Sequence, residues 1–194
     1  MTGLPRIAVL ASGEGTNLQA LIDRLHGTQV EIAGVGGDKP GAPALERAAG
    51  AGIATRVFPL ADFGDRAARD AAIAGWLRDE LGARVIVLAG YMALLTPGFI
   101  GAFRERIVNV HPSLLPLHPG LHAIEQALEA GARETGATVH LVDEGVDTGP
   151  VLLQQAISIA PGATAAEVRA ALAPIEHDLL CRAVADLVAR TTAS

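Results

Sequence analysis

The sequence predicts an α/β fold, a mostly parallel sheet flanked by helices, with an antiparallel C-terminal extension. Three observations carry this reading. Short apolar runs alternate with helical stretches through the first 110 residues, which is the pattern of a parallel sheet with right-handed crossovers. The last third changes to two strand-like segments around one turn, followed by a long helix. Half of the 194 residues are hydrophobic and mean hydropathy is +0.35, enough for one sizeable core, so residues 1–194 are expected to form a single domain.

Arg6 to Ala11 is a short apolar run suited to a buried parallel strand. Ser12-Gly13-Glu14-Gly15-Thr16-Asn17 breaks it, and Leu18, Leu21, Ile22 and Leu25 then recur at helical spacing. Val30 to Val35 reads as a second strand and residues 36–41, rich in glycine, as a loop. Pro43 suits the first turn of a helix through Ala49. Ile53 to Phe58 is expected to be a third strand. A helix follows over Ala67 to Leu81, with Ile73, Trp76, Leu77 and Leu81 on its apolar face and Arg66, Arg69, Asp70, Arg78 and Asp79 mostly off it. Val85 to Ala89 is the most strand-like run, a short helix follows Pro97, and Ile107 to Val110 is the fifth strand. Beyond it, His122 to Ala130 reads as a helix, with Thr138 to Val142 and Val151 to Ile159 as the antiparallel pair. Thr164-Ala165-Ala166-Glu167 is a capping box opening a helix to Val188, which Pro174 is expected to kink or split. Together this is a Rossmann-like arrangement.

Ligands of such sheets bind beyond the carboxyl ends of the strands. The turns at 12–17, 90–95 and 109–120 all lie at such ends, which groups them as one site. Between Asn109 and His122 the chain carries three prolines and three histidines. Pro112 pushes His111 toward extended geometry, and strand geometry places Asn109 and His111 on one face. An amide and an imidazole there suit a carbonyl oxygen and a proton. The turn at Gly13–Asn17 exposes amides at a helix start and suits a monophosphate. Leu18 replaces the third glycine of a dinucleotide fingerprint, and a P-loop lysine is absent. Asp147, in a glycine-flanked turn, is the candidate carboxylate partner of His111, a pairing that favours the imidazolium.

A net charge of −6 and a pI near 5.5 argue against a broad nucleic-acid-binding face. Cys181 is the one cysteine, which excludes an intrachain disulfide. His118, His122, His140 and His177 do not form a compact ligand set, so no metal is expected. Ser113 beside His111 lacks the glycine-elbow context of a nucleophile. Neither a signal peptide nor a membrane-length apolar run is read, so the expectation is a cytoplasmic protein without membrane or nucleic-acid partners.

Taken together, Ala11–Ala20, Val87–Met92, Asn109–Pro116, Gly120–Ala123, Val142–Pro150 and Glu176-His177 resemble the phosphoribosylglycinamide formyltransferases, over nearly the whole chain. Asn109-Val110-His111-Pro112-Ser113-Leu114-Leu115-Pro116 marks the wider folate-dependent formyltransferases, and Ser12–Leu18 narrows it to the glycinamide ribonucleotide branch. The resemblance implies a formyltransferase fold and transfer of a formyl group from 10-formyltetrahydrofolate, a co-substrate, to glycinamide ribonucleotide in purine biosynthesis. It implies that Asn109, His111 and Asp147 are catalytic, and that Gly15, Thr16 and Asn17 hold the ribose phosphate while Glu176 contacts the glycinamide. Arg66, Met92, Ala93, Leu94, Leu95, Asn109, Asp143, Glu144, Gly145, Val146 and Asp147 would line the folate pocket. Ala93 stands where a relative carries an arginine, Gly36-Gly37 replaces a frequent Ser-Asn, and Leu180-Cys181 follows where Tyr-Pro is frequent. A formyltetrahydrofolate hydrolase and a methionyl-tRNA formyltransferase share the central motif, and a non-catalytic nucleotide- or folate-binding module is the reading from another class. A homodimer stays open.

Overall fold

The computed structural model describes residues 3–192. Seven strands form one sheet in the order β3-β2-β1-β4-β5-β6-β7. The strands are β1 (Arg6–Ala11), β2 (Glu31–Gly37), β3 (Thr55–Val57), β4 (Val85–Leu88), β5 (Ile107–His111), β6 (Glu134–Leu141) and β7 (Val151–Ser158). The first five pair in parallel, and β6 and β7 add antiparallel. The chain order reverses between β1 and β4, which opens a crevice at their carboxyl ends. Helices α1 (Thr16–Arg24), α2 (Pro43–Gly50), α3 (Arg66–Gly75), α4 (Pro97–Ala102), α5 (Ala123–Glu129) and α6 (Ala165–Thr192) cover the faces.

Alternation along β1 splits the core into two layers. Ile7, Val9 and Ala11 face a layer that includes Leu18, Leu21, Leu45 and Leu180. Ala8 and Leu10 face the other, with Ile73, Trp76, Leu77, Phe99 and Phe103. Both layers are buried at the centre, so the sheet is covered on both sides, as a parallel sheet requires.

Four expectations are corrected. Residues 36–37 are strand, not loop: Gly36 and Gly37 pair with Leu10 and Ala11 on one side and with Arg56 and Val57 on the other. A Cβ on Gly36 would lie 2.7 Å from Leu10 Cδ2, and one on Gly34 2.5 Å from Leu81 Cδ1, so at these two positions β2 is bare backbone, covered by Trp76 with Leu81 and Leu10. The helix expected over 67–81 begins at Arg66 and turns at Trp76 into a π-helical turn, Trp76–Glu80. That wider turn seats the indole over the β2 glycines. β6 starts at Glu134 rather than Thr138, because Gly136 belongs to the strand. Its absent Cβ would sit 2.3 Å from the Gln155 carbonyl and 2.4 Å from Leu114 Cδ2, a close approach that only glycine permits.

The fourth correction concerns α6, which Pro174 does not split: one helix runs from Ala165 to Thr192. A proline there removes one backbone donor. Buried Leu172 before it and Leu179, Leu180 and Val184 after it hold both halves on the sheet, and packing of this kind sustains a helix more than propensity does. The helix opens with the expected capping box: Glu167 N–H donates to Thr164 Oγ1 at 3.3 Å and Thr164 N–H to Glu167 Oε2 at 2.8 Å. Leu180 and Cys181 are buried in the layer against α1, where Cys181 Sγ lies 3.5 Å from the Ala20 carbonyl.

Candidate active site

The turns after β1, β4 and β5 meet. Ser12 N–H donates to the Gly90 carbonyl at 3.1 Å, and its hydroxyl accepts from Met92 N–H at 2.9 Å. This ties the glycine turn to the segment 90–95. Gly15 sits at φ 74°, the left-handed conformation that glycine adopts without cost, and is the residue before α1. No side chain caps α1, so its first amides are free for an anion. Asn17 is buried and its Nδ2 donates to Glu176 Oε2 at 3.3 Å, across 159 residues of sequence. The structure therefore brings Gly15, Thr16, Asn17 and Glu176 to one place. Burial pushes the Glu176 carboxyl above its ordinary range, against the lowering effects of Asn17 and Arg169.

On β5, Asn109 pairs in register with His140 of β6, and His111 with Thr138. The loop after β6 returns Asp147 over this strand end. His111 Nδ1 lies 3.3 Å from Asp147 Oδ2, and Asn109 Nδ2 donates to Asp147 Oδ1 at 3.4 Å. Asp147 stands at φ 54°, a left-handed conformation that aspartate tolerates better than most side chains. Its Oδ2 also accepts from the Gly120 amide at 2.8 Å. Burial raises the Asp147 carboxyl, but the His140 hydrogen bond, the Gly120 amide and the charges of His111 and His140 outweigh it and hold it at about 2. His111 Nε2 meets the His118 carbonyl at 2.8 Å. Each ring nitrogen of His111 therefore faces an acceptor, a carboxylate at Nδ1 and a carbonyl at Nε2.

His140 was read in the sequence only as a metal candidate. The structure places it in this cluster instead. It is buried, its Nε2 lies 3.4 Å from Asp147 Oδ1 and 3.2 Å from Asn109 Nδ2, and its Nδ1 lies 2.8 Å from the Leu141 carbonyl. Nε2 thus faces the Asp147 carboxylate and the Asn109 amide together, so His140 packs both against the end of β5. The signal in the sequence is the two-residue alternation of Thr138 and His140, which puts both on one face of β6. Among the described residues no group of three or more His, Cys, Asp or Glu side chains is placed to hold a metal.

Thr138 anchors the proline-rich loop. It is fully buried, donates to the Ser113 carbonyl at 2.6 Å, and accepts from Leu115 N–H at 3.1 Å and from Gln154 Nε2 at 2.8 Å. Ser113 Oγ donates to the Leu117 carbonyl, which takes it away from His111. Thr138→Val should lower stability by about 1–3 kcal/mol for each buried group left unpaired, read as a lower urea midpoint with unchanged slope.

The remaining candidates fall around the cleft. Met92 and Leu94 are exposed at its edge, with Ala93 and Leu95 half-buried between and after them. Asp143 Oδ1 accepts from Gly145 N–H at 3.1 Å and from the Thr148 hydroxyl at 2.7 Å, which shapes the loop that exposes Glu144 and Val146. Arg66 opens α3 and is exposed. One helical turn on, Arg69 and Asp70, although charged, are buried at 3% and 1% exposure.

Residues 5–184 match the family model described as formyl transferase. The chain is 43% identical over 178 residues to phosphoribosylglycinamide formyltransferase of Haemophilus influenzae, covering 91% of this chain and 84% of that protein. The chain belongs to the phosphoribosylglycinamide formyltransferase family. The crystal structure of phosphoribosylglycinamide formyltransferase from Bacillus halodurans superposes with a TM-score of 0.91 at 40% identity, covering 96% of each chain. The trifunctional purine biosynthetic protein adenosine-3 of Drosophila melanogaster is 46% identical over 189 residues, 94% of this chain, and the chain spans only 14% of that protein's length. The fold agrees with these neighbours: a mostly parallel seven-stranded sheet with two antiparallel strands at one end. No helix among the described residues is long and apolar enough to cross a membrane.

Proposed function

We propose that the chain transfers the formyl group of 10-formyltetrahydrofolate to the amine of 5'-phosphoribosylglycinamide, giving N-formylglycinamide ribonucleotide and tetrahydrofolate in de novo purine biosynthesis. The observation that carries this is the convergence of Asn109, His111 and Asp147 at one strand end of a formyltransferase fold, with the uncapped start of α1 opening on the same edge of the sheet.

Gly15, Thr16 and Asn17 hold the phosphate at the start of α1, and Glu176 takes the glycinamide end. The segments Met92–Leu95 and Asp143–Asp147, with Arg66, line the folate pocket. The amine attacks the formyl carbon, and the carbonyl oxygen becomes an oxyanion. Asn109 Nδ2 and the His111 Nε2 proton donate to it, the oxyanion replacing Asp147 Oδ1 as an acceptor at Asn109 Nδ2 and the His118 carbonyl as the acceptor at His111 Nε2. Asp147 keeps His111 charged and orders the water that carries the amine proton to N10 as the carbon–N10 bond breaks. One cleft for both substrates supplies orientation. The cytoplasm is the compartment this reading assigns.

The test is a spectroscopic transfer assay with purified protein and both substrates, beside a control without the ribonucleotide. Product in the complete mixture alone is the expected result. Loss of the formylfolate in the control would replace this reading with the hydrolase. No reaction in either tube would leave a binding module.

A further inference from the structure

Arg69 and Asp70 are neighbours on α3, positions whose side chains ordinarily point about 100° apart. Here both turn inward. Arg69 Nε and Nη2 reach the same carboxylate oxygen, Asp70 Oδ1, at 3.0 and 2.7 Å. That leaves Asp70 Oδ2 free to accept from Thr96 N–H at 2.7 Å, and Arg69 Nη2 donates as well to the Leu94 carbonyl at 3.3 Å. The pair therefore grips one carbonyl and one amide, two residues apart, on a segment without regular structure. The other end of that segment is tied at Met92 N–H to Ser12 Oγ.

A buried ion pair is a weak device for stability, because desolvation of both charges offsets their attraction. It is a strong device for fixing geometry, since two guanidinium donors converge on one carboxylate oxygen while the other oxygen and Nη2 hold backbone groups of the segment, an arrangement that tolerates little displacement. We propose that Arg69 and Asp70 are positioning residues for folate binding, holding the backbone of Met92–Leu95 in the one arrangement that offers its amides and carbonyls to the heteroaromatic ring of the cofactor. The inference rests on the reading that residues 92–95 line the folate pocket. Neither side chain touches substrate; the pair acts through the segment it holds.

The experiment uses the double variant Arg69→Met, Asp70→Leu, which removes both charges at similar volume and leaves neither one unpaired. Wild-type turnover is measured first, and its absence sinks the transferase reading rather than the positioning role. Tetrahydrofolate binding by calorimetry then tests the clamp independently of turnover. The expected result is a folded variant with KM for 10-formyltetrahydrofolate raised at least tenfold, tetrahydrofolate affinity weakened to match, and KM for the ribonucleotide within twofold of wild type. Arg69→Lys, which keeps the charge but not the fork, should fall between. A folded double variant with unchanged folate KM and affinity overturns the proposal, and so does a parallel loss of both KM values with a lowered melting temperature, which marks a merely structural pair.

Discussion

Asp147→Asn should lower kcat by about 10²- to 10⁴-fold while the protein stays folded. The amide is nearly isosteric, suits the left-handed backbone at this position as well as aspartate does, and can still accept the Gly120 amide proton. What it loses is charge. His111 then faces a neutral group at Nδ1, and the site no longer favours the imidazolium that donates to the oxyanion. The loss corresponds to roughly 3–5 kcal/mol of transition-state stabilisation. Steady-state turnover at saturating substrates measures it, with circular dichroism to show the fold. A variant with near-normal kcat would remove Asp147 from the mechanism. The same substitution has a signature in acid. Because the Asp147 carboxyl is held at about 2 in the folded chain, against an ordinary value of 3.8, its charge contributes stability above pH 4 that is lost as pH falls toward 2. The Asn variant should show a shallower decline across that window.

Gly15→Ala should cost both stability and substrate affinity. At φ 74° an L side chain is strained by about 1–2 kcal/mol, and the added Cβ would lie 2.7 Å from Ala44 Cα and 2.8 Å from Ala44 Cβ. Backbone atoms cannot step aside, so α2 or the turn must shift, at a further cost of about 1–3 kcal/mol. For a chain of this size the melting temperature should drop by about 5–15 °C. The moved amides should raise KM for the ribonucleotide at least about tenfold, equal to 1.4 kcal/mol of lost alignment. Gly13→Ala is the control. A Cβ there meets nothing within 4 Å, and stability should stay within about 0.5 kcal/mol. Equal melting losses for the two variants would mean that the crowding against α2 is not what matters.

Sequence patterning made the parallel half of the sheet legible because β1 and β4 are buried on both faces and carry unbroken apolar runs, Ile7–Ala11 and Val85–Leu88. The approach of Asn109, His111 and Asp147 was legible as residues and motif, but not as contacts, since the return of the 143–150 loop depends on pairing across 38 positions. His140 was hidden for the same reason: its place opposite Asn109 is a matter of antiparallel register, which no local pattern encodes. Arg69 and Asp70 were hidden by a sound rule, that charges off the apolar stripe face water, which fails when a neighbouring loop offers backbone partners. Gly36 and Gly136 misled for a related reason. A glycine ordinarily ends a strand, and here each marks a point where another part of the chain comes too close for a Cβ.

The hydrogen bond from Asn17 to Glu176 joins the first helix of the chain to the last. Helix α6 also packs on α1, α5 and strands β4 to β7. The proposed ribonucleotide site is thus a closure of the whole chain upon itself, and no fragment that stops short of α6 contains it. Partial openings that release α6 should abolish ribonucleotide binding even while the parallel half of the sheet persists. The ligand then acts as a clasp, and hydrogen exchange in α6 should slow on ribonucleotide binding to the same degree as exchange in the first turn of α1.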